Sequence, residues 1–163
     1  MWAKSGPLPP STLRNRLTFE AVAVCGCIDM EGRLAHMEIR PKSFNQYSFK
    51  DFLVGLREKV PAEKTVFVLV DNLGVHRTKL VRDYCTEAKI ELIFNGAYSS
   101  EFHPQERCWL YAKRAFQRRL ITVYNFKNKR MIQNLVKESM ESVPAEGLKA
   151  YVTRCLRKMR DWL

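Results

Sequence analysis

Residues 65–76 read TVFVLVDNLGVH. Thr65 to Val70 form a short run of β-branched and apolar residues that does not alternate. Such a run predicts a strand covered on both faces. Asp71 stands at its C-terminal end. In open α/β sheets, sites form at the carboxyl ends of strands. An Asp at a strand end is also a common cap or turn residue, so position alone leaves both readings open.

Outward from that stretch, the pattern switches between strand and helix periods. Downstream, Leu80, Val81, Tyr84, Cys85 and Ala88 recur at helical spacing, and residues 90–94 (IELIF) predict a second buried strand. Upstream, residues 19–29 (FEAVAVCGCID) are β-rich, Glu31-Gly32 reads as a hairpin turn, and residues 34–39 alternate like a returning strand. Ser48 with Asp51 three residues later reads as a capping-box helix start. Phe49, Phe52, Leu53 and Leu56 give that helix an apolar face, and Pro61 ends it. The order is hairpin, helix, strand, helix, strand, helices. It predicts an α/β domain, antiparallel at one side and parallel at the other.

A loop over 95–104 leads into a helix starting near Gln105. Its apolar stripe is Trp109, Ala112, Phe116 and Leu120, and Arg107, Lys113, Arg114, Arg118 and Arg119 are assigned to its other face. Two more helices follow, broken near Pro144. The last carries Leu148, Tyr151, Val152, Cys155, Leu156, Met159 and Trp162 at helical spacing, a stripe expected to be core or partner contact.

At 163 residues, 46% of them apolar, the chain is expected to be one domain with a sizeable core. It has no apolar run of membrane-spanning length, and its first residues lack the apolar stretch of a secretory signal. Five cysteines, an odd number, point to a reducing intracellular compartment, the nucleus if the source is eukaryotic. Cys25 and Cys27 lie two apart on a strand and make no CxxC metal pair.

The net charge is +11, and its distribution is uneven. Residues 107–163 hold 14 Lys/Arg against 4 Asp/Glu, while residues 1–106 hold 14 against 13. A basic C-terminal third suggests a polyanion, most simply nucleic acid. The alternatives are a solvated basic face or an acidic partner. Arg107, Lys113, Arg114, Arg118, Arg119, Lys127, Lys129 and Arg130 are the candidate nucleic-acid contacts.

The segments VLVDNLGVH (68–76) and AYSSEFHPQERCW (97–109), taken together, resemble the DDE transposases of the mariner superfamily. In that family a strand ends in Asp-Asn with a His four residues after the Asn. A later loop reads roughly Tyr-Ser-Pro-Asp-Leu-Asn-Pro-Ile-Glu and runs on to a Trp. Tyr98, Ser99, Pro104, Glu106 and Trp109 match in order. The 34 residues between Asp71 and Glu106 are a spacing that the superfamily uses. Trp2-Ala3-Lys4-Ser5-Gly6 and the hairpin after it resemble the family's Trp-Ala-x-x-Gly segment and its hairpin. Ser100, His103 and Gln105 depart from the usual Pro, Asn and apolar residue, and Asn95-Gly96-Ala97 stands where prolines are common.

The resemblance implies an RNase H-like fold truncated at its first strand, with extra C-terminal helices. The divisions expected are an extended segment over 1–18, the core over 19–120 and basic helices over 121–163. It implies Asp71 and Glu106 as catalytic, metal-binding acids, with Mg²⁺ or Mn²⁺ as the ion. Two such ions serve cleavage and strand transfer, one at the nucleophile and one at the leaving oxygen. His76 is expected either to position a phosphate or carboxylate or to be structural. The family's first Asp, which bridges the metals, lies upstream of the Trp-Ala-x-x-Gly segment where this sequence begins, and so does its helical DNA-binding region. Asp29 and Asp51 are the nearby substitutes, each with a structural explanation in a turn or a first helical turn. The expected function is a transposase-derived nucleic-acid-binding protein, DNA being the main partner, with a homodimer or a larger complex as its setting. The alternative is a domesticated, inactive structural subunit of a larger protein or ribonucleoprotein assembly.

Overall fold

The structure, a computed structural model, describes residues 22–96, 103–121 and 129–161. The expectations for the extended segment 1–18, for Tyr98, Ser99 and Ser100, for Lys127 and for Trp162 lie outside the described residues.

The hairpin forms as the sequence predicts. Strands β1 (Ala23–Ile28) and β2 (Leu34–Arg40) pair antiparallel, with a register shift between Cys27 and Ile28. Gly32 closes the turn at φ 77°, the left-handed region that glycine enters without strain. A Cβ at Gly32 would come 2.4 Å from the Ala145 carbonyl oxygen, so the turn also seats the start of a later helix.

Helix α1 (Gln46–Arg57) begins one turn before the expected start. The cap is Asn45, whose side chain accepts from the Ser48 amide while the Ser48 hydroxyl accepts from the Asn45 amide. Ser48 is therefore the far half of the capping box. Asp51 sits beyond the first turn and pairs with Arg40 at 3.1 Å. Phe49, Phe52, Leu53 and Leu56 are buried as expected.

Strand β3 (Val66–Val70) and strand β4 (Ile90–Phe94) pair in parallel, with Val66 opposite Ile90 and Val70 opposite Phe94. Helix α2 (Lys79–Glu87) crosses between them and buries Val81 and Cys85. One expectation fails here. β3 and β4 are not covered on both faces, since Phe67 is 63% and Ile93 49% exposed. An unbroken apolar run marks a strand that fits between two layers, whether or not both layers are in place.

Helix α3 (Pro104–Ile121) starts one residue before Gln105, and helices α4 (Lys129–Glu141) and α5 (Ala145–Arg160) follow on either side of Pro144. The hairpin lies between two apolar clusters. Cys25, Cys27 and Ala35 meet the cluster built around Phe49, Phe52, Leu53 and Val81. Val24, Leu34 and Met37 meet the cluster of Cys108, Ala112, Met140 and Leu148 on α3, α4 and α5. Gly26 faces the second cluster, where Met140 and Trp109 stand 3.4 and 3.6 Å from the place of a Cβ. The described strands form two two-stranded sheets, β1 with β2 and β3 with β4.

Candidate functional site

Asp71 lies just past β3, and its neighbours fix it there. Its carboxylate accepts from the Leu73 amide at 3.2 Å. The His76 Nδ1 stands 3.1 Å from its Oδ1 and 3.2 Å from its carbonyl oxygen. His76 is buried against the Phe49 ring, 4.2 Å between centroids, in a single 3-10 turn (Gly74–Arg77). Asn72 turns the other way, donating to the Asn95 carbonyl and accepting from Arg77, whose guanidinium covers the Phe94 ring. The Asp-Asn pair thus divides its work. Asn72 ties the ends of β3 and β4 together and leaves Asp71 free to face outward.

Glu106 lies in the first turn of α3, where a negative side chain complements the helix dipole. Its amide donates to the His103 carbonyl at 3.1 Å. Asp71 and Glu106, with 34 residues between them in sequence, line one groove of about 590 Å³. His76, His103, Gln105 and Trp109 line it too. Burial lowers the His103 imidazole below its ordinary value, the charges of Asp71 and Glu106 pull it back up, and His76 adds to the lowering. The sequence named His103 only as a departure from a loop pattern, and Gln105 as another and as a helix start. The His103 Nε2 and the Gln105 Nε2 are both buried without a hydrogen-bond partner.

The groove separates the two sheets. Five consecutive residues of β1, Ala23 to Cys27, line it, and so do Val68, Leu69, Val70 and Asp71. A strand that met the groove with one face would contribute alternate residues. Consecutive ones mean that the hydrogen-bonding edges of β1 and β3 open onto it.

As donors, two carboxylates and the nearby imidazoles suit a divalent ion. Among the described residues, however, no three His, Cys, Asp or Glu side chains converge to hold one. The two proposed substitutes are committed elsewhere. Asp29 accepts from the Glu31 and Arg33 amides, each at 2.9 Å, and Asp51 pairs with Arg40.

The basic residues expected on one face of α3 divide between two. Arg114, Arg118 and Arg119 line a second groove of about 520 Å³ with Tyr111 and Ser142. Arg119 donates to the Ser142 hydroxyl at 3.2 Å and faces Glu138 at 3.8 Å. Arg107 covers the Tyr111 and Tyr151 rings at 5.2 and 5.8 Å. Lys113 follows Glu106 by seven residues, close to two helical turns, and so lies on the acid's side of the helix. Lys129 and Arg130 are exposed at the start of α4. All five cysteines are free, and burial pushes the Cys25 thiol up to about 12 and the Cys27 thiol up to about 11. No helix among the described residues is long and apolar enough to cross a membrane.

Residues 1–128 match the family described as DDE superfamily endonuclease. No curated protein matches. Among solved structures, the catalytic domain of Mos1 mariner transposase is 18% identical, with 84% of this chain and 70% of that one covered at a TM-score of 0.63. The Mos1 catalytic domain with raltegravir and Mg is 15% identical, with 91% and 85% covered at 0.63. The Mos1 paired-end complex with Mn is 16% identical, with 98% of this chain but 46% of that one covered at 0.67. This chain therefore spans about half the length of the Mos1 chains in such complexes. These likenesses establish the RNase H-like α/β fold.

Proposed function

Because the chain belongs to the DDE superfamily of endonucleases, we propose that it is the core of a transposase-type nuclease that acts on nucleic acid. Its ancestral reaction is metal-dependent DNA cleavage and strand transfer. One observation carries the reading. Asp71 and Glu106, far apart in sequence, line the same groove, and Asp71 is braced by His76 as a site residue needs to be.

Asp71 and Glu106 are the residues that would hold Mg²⁺ or Mn²⁺. When bound, such ions activate the attacking oxygen and stabilise the leaving one. The chain's own part is to aim the acids. His76 holds the Asp71 carboxylate toward the groove, and the first turn of α3 holds Glu106. Two acids bind a hard ion weakly, so full activity needs a third carboxylate from outside the described residues. Duplex DNA is the partner proposed for the arginine groove and the exposed lysines. A homodimer or a larger assembly in a reducing compartment, the nucleus in a eukaryote, is the proposed setting. The Mos1 structures include a paired-end complex with the left transposon end and a pre-cleavage transpososome, which are precedents in that protein.

A second reading has its own support. Since no three ligating side chains converge among the described residues, a domesticated chain that keeps the fold as a scaffold and contributes no chemistry would look the same there. Nicking of supercoiled plasmid in Mn²⁺ separates the two. The nuclease reading expects nicking that Asp71→Ala removes. Nicking that survives Asp71→Ala, or none even when a third carboxylate is supplied, leaves the scaffold reading.

A further inference from the structure

We propose that Tyr111, Arg107 and Tyr151 form a platform on which unpaired nucleic-acid bases stack, set between two cationic grooves that carry the strand's phosphates. On α3, Arg107, Tyr111, Arg114 and Arg118 recur at intervals of four, three and four residues, the spacing of one helix face. On α5, Tyr151, Arg154 and Lys158 recur at three and four. The two helices pack together, and Arg107 joins their stripes. Its guanidinium lies 5.2 Å from the Tyr111 ring centre and 5.8 Å from that of Tyr151.

Each ring reaches a groove. Tyr111 lines the arginine groove of about 520 Å³ with Arg114 and Arg118. Tyr151 lines a smaller one of about 150 Å³ with Arg154 and Lys158. Both rings are half-buried, while Arg107, Arg114, Arg118 and Arg154 are exposed. Residues 107–121 and 147–160 contain no Asp or Glu. These two helix segments therefore offer a polyanion no repulsion from their own side chains, and cations stand at both ends of the platform.

Charge alone suits a duplex as well as a single strand. The tyrosines decide between them. In a duplex each base is hidden between its neighbours, and only base edges and phosphates meet a protein. Ring faces and a guanidinium plane serve where bases are unpaired, since every base has a π face and stacks without regard to sequence. From Arg107 to Arg118 the strip runs about 16 Å along α3, or about five phosphates at the spacing of one strand. The proposal rests on the nucleic-acid reading above and deepens it, since this surface takes a single-stranded segment.

The test uses the full 163-residue chain and three labelled oligonucleotides of one length, followed by fluorescence anisotropy: oligothymidine, an abasic strand and a duplex. Oligothymidine should bind about tenfold more tightly than the abasic strand, which has the phosphates without the bases. Tyr111→Leu with Tyr151→Leu should remove that preference and leave the salt slope of binding unchanged, because stacking rings neutralise no phosphate. Crosslinking needs no substitution. A strand carrying 5-iodouracil should, on irradiation, attach to Tyr111 or Tyr151. Equal affinity for oligothymidine and the abasic strand, or crosslinks only elsewhere, overturn the platform and leave the nucleic-acid reading to stand on the duplex. No binding to any of the three overturns both.

Discussion

Helix α3 joins two regions that are finished to different degrees. At its first turn it carries Glu106 into a groove where, among the described residues, strand edges and two buried nitrogens have no partners. Further along, the same helix enters a region where the polar groups are answered. Arg119 meets Ser142 and Glu138, and Arg107 lies over Tyr111 and Tyr151. Beneath it, Cys108, Ala112, Met140 and Leu148 close a core. A saturated region accounts for itself as structure. An unsaturated one costs stability and points to something that binds. On the proposed reading, the difference gives ligand capture to the acid groove and stable presentation of charge to the helical end.

The largest expected effect tests whether the two regions fold as one. Leu53→Ala and Leu148→Ala each empty a fully buried site, one in each cluster. Each should cost about 2–5 kcal/mol. Because the hairpin is clamped between both clusters, each variant should lower one shared thermal transition. Two separate transitions by calorimetry would break the comparison into two domains.

Next comes the charge on the helical end. Arg114→Ala with Arg118→Ala should reduce the salt slope of duplex DNA binding by about 2 and weaken binding about tenfold at moderate salt. Fluorescence anisotropy across a salt series reads both. Asp71→Ala in the same assay without metal should leave the slope unchanged. An equal loss from either change would mean that one surface does both jobs.

A smaller effect concerns pH. Burial lowers the His36 imidazole below its ordinary value, Lys59 lowers it further, and Glu38 opposes both. Neither ring nitrogen has a hydrogen-bond partner, and the place of a Cβ on Gly55 lies 2.7 Å from Nε2. The fold thus favours the neutral ring. Its contribution is complete above the unfolded value near 6.5 and is lost as pH falls from there toward the lower folded value. The melting temperature should fall between pH 7 and pH 5, and His36→Gln should flatten that fall. An unchanged slope would remove His36 from the account.

The smallest effect is on stability at the site itself. Asp71 is 57% exposed at its side chain, and Asp71→Asn keeps an acceptor for the Leu73 amide. Its cost should stay within about 0.5 kcal/mol by urea unfolding. A large loss would make Asp71 a structural residue.

Much of this was legible in the sequence, for physical reasons. The hairpin announced itself through Glu31-Gly32 between two β runs, and Pro144 broke the last helices. Asp71 was placed at a strand end by the run before it, and Glu106 in a first helical turn by the helix expected to start near Gln105. The cap of α1 was not legible, because Ser48-x-x-Asp51 fits the capping-box pattern while the true box closes through the Ser48 hydroxyl, which that pattern does not include. Nor was the open face of β3, since an apolar run records what a strand can bury and not what covers it. The division of the α3 arginines depends on how α4 and α5 pack, which helical spacing does not contain. The nearness of His103 to both acids depends on the end of β3 and the start of α3 opening onto one groove. Only tertiary structure brings those together.

The account rests on Asp71 and Glu106 forming one divalent-ion site, and Mn²⁺ binding tests that most directly. Free Mn²⁺ is followed by electron paramagnetic resonance as the chain is titrated in, beside the double variant Asp71→Asn, Glu106→Gln. The account predicts weak binding by the natural chain, of the order expected for two carboxylates without a third, and its loss in the variant. Identical curves for the two proteins would contradict it.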